Sequence, residues 1–195
     1  VPRLEVSAKI STVLKLTTAE YDEMVAKGAF DGLQKRIELI NGVIVQTNPA
    51  GPVHDDLIEF LTQWSVRNTS PEEVRVRIQS GLSLPELDSR PEPDVLWVKA
   101  RRYLDRHPVS SDVLLLIEVA DSSLKSDRDT KAELYAKAGI VEYWIANIAD
   151  EVIHVYRQPA DYGYQMQFTV SGDTELTPLA QATAVLKPGE LFSGE

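Results

Sequence analysis

Five consecutive aliphatic residues, Val113-Leu114-Leu115-Leu116-Ile117, followed at once by Glu118, constrain this chain more than any other stretch. A short, uniformly apolar run reads as a strand buried on both faces, and it carries Glu118 to or near the interior. An ionised carboxylate there is destabilising by several kcal/mol unless it is paired, protonated or bound to a cation. The chain must supply Glu118 with a partner.

Downstream, Ser126-x-x-Asp129 can cap a helix that runs to Ala138 and stops at Gly139. That helix carries Lys131 early in its length. Upstream, Pro93 precedes a short apolar strand, Asp94-Val95-Leu96-Trp97-Val98, and proline suits a strand's first residues because it cannot donate to the ladder. Glu142 to Ala146 and Val152 to Tyr156 read as further strands. The order strand, strand, helix, strand over 94–146 predicts an α/β fold with a central mixed sheet, flanking helices and at least one crossover.

The N-terminal half supplies additions to that core. Thr17 and Glu20 form a capping-box pattern ahead of Tyr21, Met24 and Val25, with Gly28 as a stop. Residues 36–46 are a hairpin signature around Asn41-Gly42, whose positive φ angles make a tight turn. Alternation puts Glu38 on the face of Ile40, Val43 and Val45, so that acid is either exposed on an edge or aimed at something. Pro52 opens a helix with an apolar stripe of Val53, Leu57, Phe60, Leu61 and Trp64, and His54 lies beside it. On residue type alone His54 reads as a partly buried helix histidine. Residues 73–84 alternate as a strand or two strands with a bend near Gly81. Past residue 160 a strand over Gln165 to Val170 leads to an irregular C-terminal segment containing Leu186 and Leu191.

At 195 residues the chain suits one domain, 1–195. It has no cysteine, which excludes disulfides, thiolate zinc sites and a cysteine nucleophile. No apolar run approaches the ~20 residues of a membrane-spanning helix and no signal peptide is visible, so a cytoplasmic location is expected. The net charge of −10 argues against a large non-specific nucleic-acid surface but leaves room for a local basic groove. The densest basic cluster, Lys99, Arg101, Arg102 and Arg106, reads as a solvated loop or helix face, with contact to a nucleic-acid backbone as its functional alternative.

Asp94, Glu118 and Lys131 form the constellation that carries chemistry. If adjacent strands bring the two carboxylates together, they repel unless a proton or cation lies between them. A hard divalent ion fits, since Mg²⁺ takes oxygen ligands and often only one or two protein carboxylates. Lys131 then offers a compact charge for the attacking water or the phosphoryl oxygens, which together describe metal-assisted phosphodiester hydrolysis. The bland alternative places Asp94 in a turn and pairs Glu118 with Lys131, with no metal. No nucleophile elbow, phosphate loop, dinucleotide fingerprint or His-x-x-x-His pair is present.

The strings Pro93-Asp94-Val95, Ile117-Glu118-Val119, Asp127-Arg128-Asp129-Thr130-Lys131, Leu134-Tyr135, Ala138-Gly139-Ile140 and Glu142-Tyr143-Trp144 resemble the Uma-two family of endonucleases. That family lies in the PD-(D/E)XK, or restriction-endonuclease-like, superfamily. Glu38 to Gly42, His54 and Val76 to Gln79 extend the resemblance to roughly residues 17–157. It implies a restriction-endonuclease-like core with metal held by Asp94, Glu118 and the backbone carbonyl of Val119. It also implies that Glu38, His54 and Gln79 border the site, Glu38 as an outer metal ligand or water binder and His54 as a phosphate contact or proton carrier. The lysine expected two places after the strand glutamate is Ala120 here, and Lys131 takes its role. The resulting expectation is a Mg²⁺-dependent endonuclease acting on DNA, with Mn²⁺ as a substitute, working as a homodimer. Trp97, Trp144 and the C-terminal segment are the candidate interface material. The alternative is a nuclease-fold binding or assembly protein without hydrolytic activity.

Overall fold

In the computed structural model, which describes residues 13–33, 35–47 and 51–193, one six-stranded sheet runs through the molecule in sequential order. Its strands are β3 (Val74–Ile78), β4 (Val95–Lys99), β5 (Val113–Ala120), β6 (Glu142–Asn147), β7 (Val152–Ala160) and β8 (Gly163–Ser171). All neighbours are antiparallel except β5 and β6, which are parallel. A parallel pair needs a crossover, and the helical segment 124–137 supplies it. Both β5 and β6 are almost wholly buried, as the aliphatic run requires. The expected α/β architecture with a mixed central sheet is therefore the one formed.

Each sheet face has its own core. Leu57, Ile58, Leu61 and Trp64 of helix α2 (Pro52–Asn68) pack on Trp97, Leu115, Ile117 and Trp144. On the other face Ala132, Leu134, Tyr135 and Ala136 of the crossover helix pack with Leu96, Leu116, Ala120 and Ile145. Strand alternation assigns Glu118, between Leu116 and Ala120, to the crossover-helix face. The buried face of α2 is rotated from the predicted stripe: Val53 is out at 57% exposure, while Ile58 and Ser65 turn in.

Trp97 and Trp144 are fully buried, which removes them as interface material. Trp64 stacks on Trp97 at 5.4 Å and tilts against Trp144 at 6.0 Å. All three indole N–H groups are satisfied internally, by the Val185 carbonyl, Ser65 Oγ and Glu142 Oε1. Parts of the C-terminal segment are anchored inward, while Leu179 and Val185 remain exposed. Leu176 pairs with Leu186, and the short helix Pro188–Phe192 buries Leu191 in the α2-side core.

Helix α1 (Thr18–Ala26) has the full capping box of Thr17 and Glu20. The hairpin of β1 (Ile37–Ile40) and β2 (Val43–Gln46) forms a separate two-stranded sheet, with φ of 51° at Asn41 and 81° at Gly42. Its register pairs Glu38 with Val45 and Ile40 with Val43, so the acid shares their face as predicted. The hairpin docks on 88–92 through paired backbone bonds between Leu39 and Arg90 and through Asn41 N–H to Ser89 Oγ.

Two local expectations are corrected. The bend expected near Gly81 falls two residues earlier, at Gln79, φ 44°. Gln79 is turned because its N–H bonds the Asp94 carbonyl just past the last β3–β4 pair, Ile78 with Val95. The crossover helix starts at Leu124, ahead of the predicted Ser126 cap, and contains a π-helical turn, Asp127–Lys131, before Ala132–Lys137 continues as α-helix. Gly139, φ 76°, ends it as expected.

Glu142 is a buried acid outside the cleft, and its role is structural. It is fully buried and accepts bonds from Trp144 Nε1, Arg157 Nε and the Leu179 N–H. Truncating one partner of such a set strands the others, typically destabilising by about 3–5 kcal/mol. Glu142→Ala is therefore expected to lower the melting temperature by about 6–20 °C for a chain of this size. A shift below about 2 °C in differential scanning calorimetry would contradict this account.

Candidate active site

Glu38, His54, Gln79, Asp94, Glu118, Val119 and Lys131 all line one cleft of about 640 Å³. Its walls are the hairpin, the start of α2, the edge where β4 begins and β5 ends, and the first turns of the crossover helix. Residues scattered over more than ninety positions are thereby brought together.

Asp94, just ahead of β4, and Glu118, near the end of β5, meet at the same edge because these strands are antiparallel. Asp94 Oδ2 accepts the Val119 N–H at 2.9 Å. The N–H and C=O of one strand residue face the same neighbour, so the Val119 carbonyl also faces the Asp94 edge, beyond the last β4–β5 pair, Val95 with Ile117. His54 Nε2 lies 3.4 Å from Asp94 Oδ2, and Gln79 Nε2 lies 3.5 Å from Oδ1. Burial pushes the Asp94 carboxyl upward, but the His54 contact, the Val119 N–H and the charges of His54 and Lys131 outweigh it and hold the group below its ordinary value. The contact with Asp94 in turn raises His54.

Lys131 reaches the cleft from the end of the π-helical turn. Its Nζ is 3.0 Å from Glu118 Oε1, 3.2 Å from Glu38 Oε2 and 3.9 Å from Asp127 Oδ1. In an α-helix, positions four apart drift by ~40° per step, whereas a π turn takes up an extra residue and turns the drift back. The bulge thus keeps Asp127, Lys131 and Tyr135 facing the cleft. Tyr135 donates to Glu118 Oε1 at 2.9 Å, and Ser123 Oγ donates to Asp127 Oδ2 at 2.6 Å. Burial opposes the Lys131 charge, but the carboxylates of Glu118, Glu38 and Asp127 together raise its pKa and keep it protonated. Burial is also the main force raising Glu118, opposed by Lys131 and reinforced by Asp94, Asp127 and Glu38.

Asp127 and Tyr135 were not singled out by sequence reasoning, although their spacing of four on either side of Lys131 was a usable signal. Lys35 and Arg36, which also line the cleft, were missed as well. The basic run 99–106 lies outside the cleft and reads as the solvated face expected of it. Lys99 closes the far end of β4 from Asp94, ~16 Å along the strand. Arg101 and Arg106 are turned onto the Tyr103 ring and pair with Asp105 and Asp112. None of these arginines lines the cleft.

The two central acids differ in what their removal does to the apoprotein. Asp94→Ala leaves the buried Val119 N–H without its acceptor and is expected to destabilise by about 1–3 kcal/mol. Glu118→Gln keeps acceptors for Tyr135 and Lys131 while deleting a carboxyl whose folded-state pKa is raised. Such a group penalises folding once the pH passes its unfolded value, because the unfolded chain then ionises more readily than the folded one. Glu118→Gln should therefore melt higher than the parent at pH 8 in chelator and show no gain near pH 4. Equal melting shifts at both pH values would contradict the burial argument.

The model of the Uma2, or Uma-two, family, described as "Putative restriction endonuclease", matches residues 18–186. A solved structure titled as a "putative nuclease belonging to DUF820" from Anabaena variabilis ATCC 29413 superposes with a TM-score of 0.71 at 16% identity, covering 91% of this chain and 98% of that one. At that identity the likeness establishes the fold, a nuclease-type α/β core. A search of curated proteins returned no significant match. With cleft residues from Glu38 to Lys131 inside a match that spans most of its length, the chain belongs to the Uma2 family.

Proposed function

We propose that the protein is a metal-dependent nuclease that hydrolyses phosphodiester bonds of DNA in this cleft. The observation that carries the reading is the excess of buried carboxylate. Glu38, Asp94, Glu118 and Asp127 are each at most 7% exposed and converge on one lysine and one histidine. Among the described residues no group of three or more His, Cys, Asp or Glu side chains is arranged to hold a metal ion. The donor set fits a hard divalent cation nonetheless, because Mg²⁺ commonly takes one or two carboxylates and fills its remaining positions with water. Asp94, Glu118 and the Val119 carbonyl are the proposed ligands, with Mn²⁺ as a substitute. Such an ion supplies an acidified water and charge neutralisation at a phosphoryl group.

The chain's own residues do the rest. Lys131, held protonated beside Glu118, orients the attacking water and faces the charge that develops on the phosphoryl oxygens. His54, fixed by Asp94, contacts the phosphate or carries a proton, and Gln79 steadies Asp94 from the other side. Lys35 and Arg36 at the cleft rim are placed for neighbouring phosphates, where cations position a nucleic-acid strand without reading its sequence. The family description points to DNA as the substrate. Cutting both strands calls for two such sites, hence a homodimer.

The direct Lys131–Glu118 contact favours a second reading, in which a closed ion pair leaves a nuclease fold that binds without cutting. Incubating the protein with plasmid DNA and Mg²⁺ separates the two. Asp94→Asn, Glu118→Gln and Lys131→Met should each reduce cleavage by about 100-fold or more while retaining the parent circular-dichroism spectrum. Unchanged cleavage in the two carboxylate variants would remove the site from consideration, and no cleavage by the parent with Mg²⁺ or Mn²⁺ would favour the binding protein.

A further inference from the structure

We infer that Glu38 is a positioning residue that receives Lys131 when a cation takes Glu118. The inference rests on the proposed metal site and concerns how the chain makes that site available.

Lys131 faces a conflict. Its shortest contact, 3.0 Å, is to Glu118 Oε1, an atom that a cation would also need. A lysine left there competes with the ion, and one released without an anchor is lost to the site, since an ammonium on a four-carbon stem has many rotamers. Among the described residues one alternative acceptor is in reach. Both Glu38 oxygens lie within hydrogen-bond distance of Nζ, Oε2 at 3.2 Å and Oε1 at 3.3 Å. Asp127 is farther, at 3.9 Å, and its other oxygen is committed to Ser123.

Glu38 is also the best fixed of these acids. Its backbone is locked by pairing with Val45, and its Oε1 accepts the Glu92 N–H at 2.6 Å. It is 2% exposed, so its carboxylate stays in place whether or not Lys131 leaves Glu118. A buried, pre-bonded acceptor beside a shared ammonium lets Lys131 shift its weight by a small rotation of its terminal bonds. The ammonium then remains beside the phosphoryl site while Glu118 is freed.

The test is a double-mutant cycle read by Mn²⁺ calorimetry on the full chain, which requires no catalytic turnover. Glu38→Gln retains an acceptor for the Glu92 N–H and removes the anchoring charge. Glu38→Asp, one methylene shorter, is the second variant should the first fail to fold. Either should weaken Mn²⁺ binding by about tenfold in the parent and by less than about threefold in a Lys131→Met background, where nothing competes for Glu118. A second readout is the Lys131 ammonium signal in ¹⁵N NMR with saturating Mg²⁺. It should persist in the parent and be lost to exchange in Glu38→Gln. An equal drop in Mn²⁺ affinity in both backgrounds would make Glu38 a direct ligand and overturn the positioning role while leaving the nuclease reading intact. No Mn²⁺ binding by the parent would overturn both.

Discussion

A carboxylate at the end of a strand covered on both faces sets the terms for the whole cleft. Glu118 cannot be hydrated where it sits, so the surroundings must supply what water would. Tyr135 gives a neutral donor and Lys131 a charge, and both come from the helix that the parallel β5–β6 pair requires for its crossover. Topology and electrostatics are thus one problem here. The crossover exists to join two buried strands, and the same helix brings the cation that the buried acid needs.

Much of this was legible in the sequence because it rests on short-range rules. The five-residue aliphatic run, the Asn41-Gly42 turn, the Thr17–Glu20 cap and the Gly139 stop each express a local preference that the fold leaves intact. Strand ends and helix placement left the convergence of Asp94, Glu118 and Lys131 open beside a plain Glu118–Lys131 pairing, and the family resemblance favoured it while placing Glu38, His54 and Gln79 at its border. What resisted reading depends on tertiary context. The π turn at Asp127–Lys131 leaves no compositional trace, since the same residues suit an α-helix. Gln79 at φ 44° bends where glycine was available two residues later, and its N–H has a partner in the Asp94 carbonyl. Trp97 and Trp144 looked available for an interface only because an indole carries no mark of which side of a strand is covered.

Charge shows the same division. Counting lysines and arginines drew attention to 99–106, where Arg101 and Arg106 turn onto Tyr103 and pair with Asp105 and Asp112. The cleft's own cationic side chains are few: Lys35, Arg36 (which pairs with Glu92), His54 and Lys131. In a chain of net charge −10, a cleft rim with Lys35 and Arg36 is a more selective invitation to a polyanion than a basic tract, because the surrounding field repels it elsewhere.

The hairpin carries a consequence of its own. Glu38 is delivered by a two-stranded sheet separate from the six-stranded one, docked through the Leu39–Arg90 bonds on the 88–92 segment, which the Arg90–Asp22 ion pair ties in turn to α1. A two-stranded hairpin is marginal without such support. The cleft is therefore as intact as its weaker wall, and opening of this small unit dismantles it while the large sheet remains folded. Heat inactivation would then run ahead of global melting, and amide exchange at Leu39 and Asn41 would report the state of the cleft more faithfully than exchange in β5.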